Sequence, residues 1–226
     1  MPEIDAADYH DYVIVDGKLV GEFEQMYTKA RGIPWGQDKQ EDSLNVRLTY
    51  EFLTNWGPFD VICDFGAGLG YFLDGLSRRV GTRDVHLVGF DISETATKRG
   101  HLLFPRIEFH TLDLTTPLDG PALGAPAVGK RRLFTLRATL WYVFPAIETV
   151  VANLAATVLP GELLLLAQNF PPLESSFVGK DVFPEPEAII DRFGVSFRPL
   201  SSLWVHDRAS RGNDNWFIAL LTRKKD

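Results

Sequence analysis

The amino-acid sequence predicts a doubly wound α/β fold: a seven-stranded, mostly parallel sheet with an antiparallel last strand, preceded by an N-terminal arm over residues 1–40. Three observations carry this. Between residues 59 and 193, short apolar runs of strand length alternate with stretches of helical spacing, the pattern of a parallel sheet covered by helices. A turn with three glycines, Gly66-Ala67-Gly68-Leu69-Gly70, falls between the first of these strands and the helix after it. Two long strand-like segments, 195–206 and 215–223, then follow with Gly212-Asn213 between them, an antiparallel hairpin signal.

Taken in order, residues 1–40 are polar and aromatic, with turn signals at Asp16-Gly17 and Ile33-Pro34-Trp35-Gly36. Segments 12–15 and 18–20 read as a small hairpin around Asp16-Gly17. The region is too short to bury a core of its own, so it reads as an arm or lid on a domain spanning 41–226. A helix starts at Ser43, capped by Asp42 or Ser43, carries Leu44, Leu48, Phe52 and Leu53 at helical spacing, and stops near Trp56-Gly57-Pro58. Phe59–Phe65 is a near-continuous apolar run, as a strand buried on both faces would be. Further strands are expected at 85–90, 107–112, 133–136 and 163–167. Further helices are expected at 69–79, 94–103, 146–158 (beside Pro145) and 185–193. Residues 115–130, rich in Pro, Gly and Ala, read as a loop or short broken helix, and 169–184 as an irregular insert. Right-handed crossovers then place helices on both faces of the sheet.

Composition narrows the function classes. With 23 Lys+Arg against 30 Asp+Glu, the chain carries a formal charge of −7, which opposes long nucleic acid as the main partner. Lys130-Arg131-Arg132 is the densest basic run, either a local patch or a solvated strand entry. A single cysteine, Cys63, excludes an internal disulfide framework and a Cys-rich zinc site. No His/Asp/Glu cluster has metal-ligand spacing, so no metal is expected. The acidic start, MPEIDAADYHDY, lacks the order of a signal peptide, and no apolar run of membrane-spanning length stands out. A cytoplasmic monomer or homodimer acting on a small molecule is expected, with no membrane partner.

The glycine turn follows Asp64 and opens a helix. Glycine lets the backbone turn sharply and a ligand approach closely, and the helix N-terminus adds a mild positive field. The spacing is G-x-G-x-G, whereas the dinucleotide fingerprint G-x-G-x-x-G would need glycine where Tyr71 stands. Asp64 would repel a pyrophosphate and favour an ammonium or sulfonium group. The absence of a G-K-[ST] ending excludes a nucleoside-triphosphate P-loop.

Asp64-Phe65-Gly66-Ala67-Gly68-Leu69-Gly70 resembles the first motif of the class I S-adenosylmethionine-dependent methyltransferases, a Rossmann-like superfamily, and the likeness extends over roughly residues 43–223. Gly89-Phe90-Asp91-Ile92-Ser93 matches the acidic position that holds the ribose hydroxyls, where a carboxylate can accept both protons. Leu112-Asp113-Leu114 matches the position that contacts adenine, with Asp113 accepting from the exocyclic amine. Leu159-Pro160-Gly161-Glu162-Leu163-Leu164 resembles the entry to the fifth strand, L-x-P-G-G-x-L, with Glu162 in place of the second glycine. The resemblance implies S-adenosylmethionine as cofactor, with S-adenosylhomocysteine as its product. The binding set it implies is Asp64, Gly66, Ala67, Gly68, Gly70, Asp91, Ile92, Leu112, Asp113 and Leu114. Read on their own, Asp91 and Asp113 each also suit a helix N-cap.

Ligands of an open α/β sheet lie beyond the carboxyl ends of its strands, so an acceptor belongs near the ends of the fourth and fifth core strands. Arg137, Thr139, Trp141, Tyr142 and Asn169 are the substrate candidates there. Arg137 suits a clamp on a carboxylate or phosphate, or a salt bridge to a nearby acid. Trp141 and Tyr142 suit stacking on a sugar or aromatic acceptor, or packing under the next helix. Asn169-Phe170-Pro171-Pro172 is out of order, and after the wrong strand, for the N-P-P-Y motif of amino methyltransferases. From the arm, Tyr27 and Trp35 are candidates to close over the site and exclude water. Ile33-Pro34-Trp35-Gly36 resembles the D-P-W-G-like segment ahead of the first motif in bacterial methyltransferases related to the nodulation N-methyltransferase that acts on chitin oligosaccharides.

Methyl transfer from a sulfonium is an in-line displacement in which alignment is the largest task, and a hydroxyl acceptor needs a base. Among the histidines, His86 falls at the wrong end of a strand, His101 on a surface helix and His110 mid-strand. His10 and His206 are left, and no catalytic residue is assigned. Cys63 reads as a core thiol. The expected activity is methyl transfer from S-adenosylmethionine to an O or N atom of a small polar molecule, saccharides included. The rivals are the same fold acting on RNA or a protein side chain, a non-catalytic S-adenosylmethionine-binding module, and a nicotinamide-dependent oxidoreductase, which Tyr71 opposes.

Overall fold

The computed structural model describes residues 11–118, 129–207 and 214–225. Gly212-Asn213, His10 and most of the expected loop at 115–130 lie outside them. The elements run β1 (Ile14–Val15), β2 (Lys18–Leu19), α1 (Phe23–Lys29), α2 (Leu44–Thr54), β3 (Phe59–Phe65), α3 (Tyr71–Val80), β4 (Gly81–Asp91), α4 (Glu94–Leu103), β5 (Ile107–Thr111), β6 (Arg132–Arg137), α5 (Leu140–Val143), α6 (Ile147–Thr157), β7 (Leu163–Phe170), α7 (Pro186–Phe193), β8 (Phe197–Asp207) and β9 (Asp214–Arg223). β1 and β2 form the hairpin expected around Asp16-Gly17. The other seven strands form one sheet in the order β5-β4-β3-β6-β7-β9-β8. Every pairing is parallel except those of β9, which runs against both β7 and β8. The chain leaves β3 to one side for β4 and β5, then returns to its other side for β6. That reversal opens a crevice at the carboxyl ends of β3 and β6.

The period of two along each strand assigns its side chains to two packed layers. Cys63, Phe65, Phe134, Leu136, Leu164, Leu166, Phe217 and Ala219 pack with α5, α6 and α7. Ile62, Leu133, Leu165, Ala167, Ile218 and Leu220 pack with α2 and α3. The same parity sends Asp64, Thr135, Arg137, Asn169 and Trp216 to the α2–α3 side, which places polar groups at the strand ends of that face.

Several local expectations are corrected. Ser43 occupies the N-cap of α2, but its hydroxyl donates backwards to Gln40 O at 2.7 Å instead of accepting from the helix. β4 begins earlier than expected because its first residues, Gly81-Thr82-Arg83-Asp84, are polar and carry no strand signal. Lys130-Arg131-Arg132 leads into β6, as the strand-entry reading has it, but Arg132 is buried instead of solvated. Arg131 donates to the carbonyls of Gly57 (3.2 Å) and Pro58 (3.3 Å). Arg132 forms a two-bond ion pair with Glu162, at 2.5 and 2.8 Å. Leu140–Thr157 is long and apolar enough by composition to cross a membrane. Here it is α5, a 3₁₀ turn at Phe144–Ala146 and α6, with Val150, Val151 and Leu154 buried in the core.

The arm is fixed across α4. Glu24 of α1 accepts from Ser93 Oγ at 2.6 Å and Thr95 N at 3.1 Å, which holds its carboxyl below the usual carboxylate range. Arg99 of α4 donates to Tyr27 O at 3.0 Å and Gly32 O at 3.3 Å. Val13, Met26 and Tyr27 then bury against Leu69 and Ala96.

Candidate active site

A cavity of about 490 Å³ fills the crevice and is roofed by the arm. Toward β4 and β5 it is lined by Asp91, Ile92, Leu112, Asp113 and Leu114. Asp64, Gly66 and Ala67 line its middle, and Arg137, Thr139 and Asn169 its β6–β7 side. Tyr27, Trp35 and Tyr142 close it from above, with the Trp35 ring 6.1 Å from Tyr27 and 6.0 Å from Tyr142. Two lining residues, Trp35 and Ala138, hold positive φ of 54° each, a conformation that costs a non-glycine residue energy and collects at functional sites.

Three of the sequence candidates are not brought to the cavity wall. Gly68 lies beneath the Gln37 amide and the Tyr27 hydroxyl. Gly70, at φ 89°, caps α3 and packs on Phe109. Trp141 turns into the core, where Nε1 donates to Asn169 O at 2.7 Å and the ring meets Phe170 and Phe177 edge-on. The apolar environment behind α5 outcompetes the crevice for this ring. Sequence reasoning missed Asn45, Gln40 and Trp216, which line the β6–β7–β9 side. A polar Asn45 beside the apolar stripe of α2 was the available signal.

The glycine turn has no spare donor. Gly66 N and Ala67 N donate to Phe90 O at 2.8 and 2.9 Å, and Gly70 N to Ala67 O at 2.9 Å. Gly68 N donates to Asp91 Oδ2 at 2.8 Å, and Leu69 N to Gln37 Oε1 at 2.9 Å. A phosphate cradle needs such N–H groups directed at the ligand; here the protein uses them itself. Gly66 is also geometrically required. At φ 73°, an added Cβ would lie 2.3 Å from Thr139 Oγ1. Gly66→Ala is therefore expected to lower the urea midpoint by the equivalent of about 1–3 kcal/mol, the range for a forced left-handed residue.

The three acids differ in setting. Asp91 accepts from Gly68 N and from Ser93 N at 3.0 Å, and burial raises its pKa. It is not the N-cap of α4; Ser93 is, accepting from Ala96 N at 3.0 Å. Asp113 Oδ1 accepts from Thr115 N and Thr115 Oγ1 at 2.8 and 2.6 Å, and no helix begins in the described residues 114–118 directly after it. Asp64 is 3% exposed and accepts from Thr135 Oγ1; desolvation pushes its pKa up to about 7. No described histidine lines the cavity. His86 and His110 share Glu108, and His206 bonds Asn215. Cys63 is buried, its thiol pushed up to about 12.

No family model and no curated protein sequence matches the chain. Solved structures do. The N-methyltransferase NodS from Bradyrhizobium japonicum WM9, in complex with S-adenosyl-L-homocysteine, aligns with a TM-score of 0.63 at 16% identity, over 89% of this chain and 98% of that one. The fold is that of the class I S-adenosylmethionine-dependent methyltransferases. A second protein with this methyltransferase fold, from Aquifex aeolicus, aligns with a TM-score of 0.58 at 13% identity, over 82% of this chain and 96% of that one. So does the [4+2]-cyclase SpnF, with a TM-score of 0.58 at 12% identity, over 80% of this chain and 82% of that one. The class I methyltransferase fold thus supports more than one chemistry, and the residues of the cavity must decide among them.

Proposed function

We propose that the chain binds S-adenosylmethionine in this cavity and transfers its methyl group to an O or N atom of a small polar acceptor. One observation carries the reading. A single cavity joins carboxylates from the ends of β3, β4 and β5 to a glycine turn whose N–H groups are already used. That set suits a cationic, ribose-bearing ligand and opposes a pyrophosphate.

When bound, S-adenosylmethionine supplies a methyl group on a positively charged sulfur. In this reading each Asp91 oxygen, accepting one N–H, keeps lone pairs for a ribose hydroxyl. Asp113, with Oδ1 engaged by Thr115, offers Oδ2 to the adenine amine. Ile92, Leu112 and Leu114 flank the base. Asp64 faces the ammonium group. Thr139 and Tyr142, with Trp35 and Tyr27 from the arm, enclose the reacting region and exclude water. Aromatic side chains above the cavity favour saccharides as the first acceptor class to screen.

Isothermal titration with S-adenosylmethionine and S-adenosylhomocysteine, with NAD as control, tests the reading. A micromolar constant, about −8 kcal/mol, for the sulfur ligands and none for NAD is expected. NAD binding, or no sulfur-ligand binding, would overturn it. Asp91→Ala is expected to weaken S-adenosylhomocysteine by about 1.5–3 kcal/mol, the range for a charge-assisted hydrogen bond. Unchanged affinity would remove the ribose assignment.

A further inference from the structure

Arg137 is 9% exposed, and its guanidinium is held by neutral groups. Nη1 donates to Gln40 Oε1 at 3.0 Å and Nη2 to Asn45 Oδ1 at 2.7 Å. The cation lies over the Trp216 ring at 4.6 Å and the Phe72 ring at 5.0 Å. None of these partners is a carboxylate, whereas buried cations are normally paired. Desolvation lowers its pKa to about 10. Arg137 Nε and Trp216 Nε1 are both buried donors without an acceptor among the described residues. Two such groups are costly, and both residues belong to the wall of the same cavity. Asn169 lines it too. Its Oδ1 already accepts from Gln168 Nε2 at 2.8 Å, so its remaining side-chain polar group is an amide donor. β6, β7 and β9 are neighbours in the sheet, and Asn169 lies directly opposite Trp216 in register. Donor-bearing residues from three adjacent strands therefore line one side of the cavity. Asp64, whose charge favours the guanidinium from a distance, accepts from Thr135 and makes no ion pair with it.

We propose that this side of the cavity seats a carboxylate of the methyl acceptor, so that the substrate is a small organic acid; a saccharide acceptor would then be an acidic sugar. The proposal rests on the methyltransferase reading of the same cavity. A carboxylate matches the planar guanidinium edge and brings one charge to one cation. A phosphate would bring up to two charges toward Asp64.

The test is titration of the wild-type chain saturated with S-adenosylhomocysteine. Acetate, benzoate and glucuronate are compared with acetamide, benzamide and glucose. At least one acid is expected to bind while its neutral counterpart does not. Arg137→Lys, which keeps the charge and loses the planar fork, is expected to weaken that acid tenfold or more without changing S-adenosylhomocysteine affinity. The cofactor's own carboxylate is the other source of this chemistry, and 5′-methylthioadenosine, which lacks it, separates the two. If Arg137→Lys weakens S-adenosylhomocysteine but not 5′-methylthioadenosine, the carboxylate belongs to the cofactor and the acceptor assignment is overturned. Wild-type chain that binds S-adenosylhomocysteine but none of the acids also overturns it. Failure to bind S-adenosylhomocysteine is a different result, which removes the methyltransferase reading itself.

Discussion

Asp64→Asn is expected to make the folded chain more stable and its grip on S-adenosylhomocysteine weaker. The carboxyl is buried, and desolvation raises its pKa to about 7, so the folded state holds the proton more tightly than the unfolded chain does. Stability is therefore lost as pH rises from about 4 to about 7, and the deficit is complete above that. Asparagine removes the charge while keeping an acceptor for Thr135 Oγ1. At pH 8 the variant should gain about 2–4 kcal/mol, since each pKa unit corresponds to about 1.4 kcal/mol. For a chain of this size that is roughly 4–16 °C in melting temperature. At pH 4 the two proteins should melt together. Binding should move the other way. A carboxylate facing an ammonium contributes about 1.5–3 kcal/mol, so affinity should fall on substitution, and in the parent as pH drops below about 7. Melting curves at pH 4 and 8, with titrations at pH 6 and 8, check both signs. Equal stability at pH 8 would refute the account of Asp64 as a charge buried for its ligand.

Glu162→Gly, which restores the glycine usual at that position of the resembled motif, is expected to damage the protein by about 3–5 kcal/mol, the cost of breaking a buried ion pair. Glu162 holds Arg132 through two bonds and accepts from Leu159 N at 2.8 Å. The Arg132 side chain is 4% exposed, so the substitution takes a two-bond carboxylate partner from a buried guanidinium. Urea denaturation measures the loss. Replacing both partners by leucine should recover most of it, because no charge then remains buried. A neutral Glu162→Gly result would show that water reaches Arg132.

Much of this was legible in the sequence because hydrophobic period and turn chemistry are local. Phe59–Phe65 and Glu94–Leu103 have the boundaries expected of them. The glycine turn and the acids Asp91 and Asp113 fall at the expected strand ends. The misses share a physical cause. α5 is a single turn, too short for a period to show. The turn signal at Ile33-Pro34-Trp35-Gly36 matches positive φ at Trp35 and Gly36, but the 3₁₀ segment Pro34–Asp42 around it carries no apolar period to announce it. Trp141 and Tyr142 are adjacent and chemically alike, yet one enters the core and the other the cavity, because consecutive residues of a helix point about 100° apart. Asn45 and Trp216 meet Arg137 across a sequence separation that no local pattern encodes.

The sheet order also bears on how the protein is made. β9 follows every other described strand of the sheet, yet lies between β7 and β8, and β8 pairs among the described residues with β9 alone. A nascent chain that has emerged as far as β8 therefore leaves one edge of the apolar β7 unpaired and β8 without a neighbour. The same late strand delivers Trp216 to the cavity. Neither the sheet nor the cavity can be completed until the ribosome has released β9, and until then the unpaired edge of β7 is a surface for chaperones to cover or for aggregation to exploit.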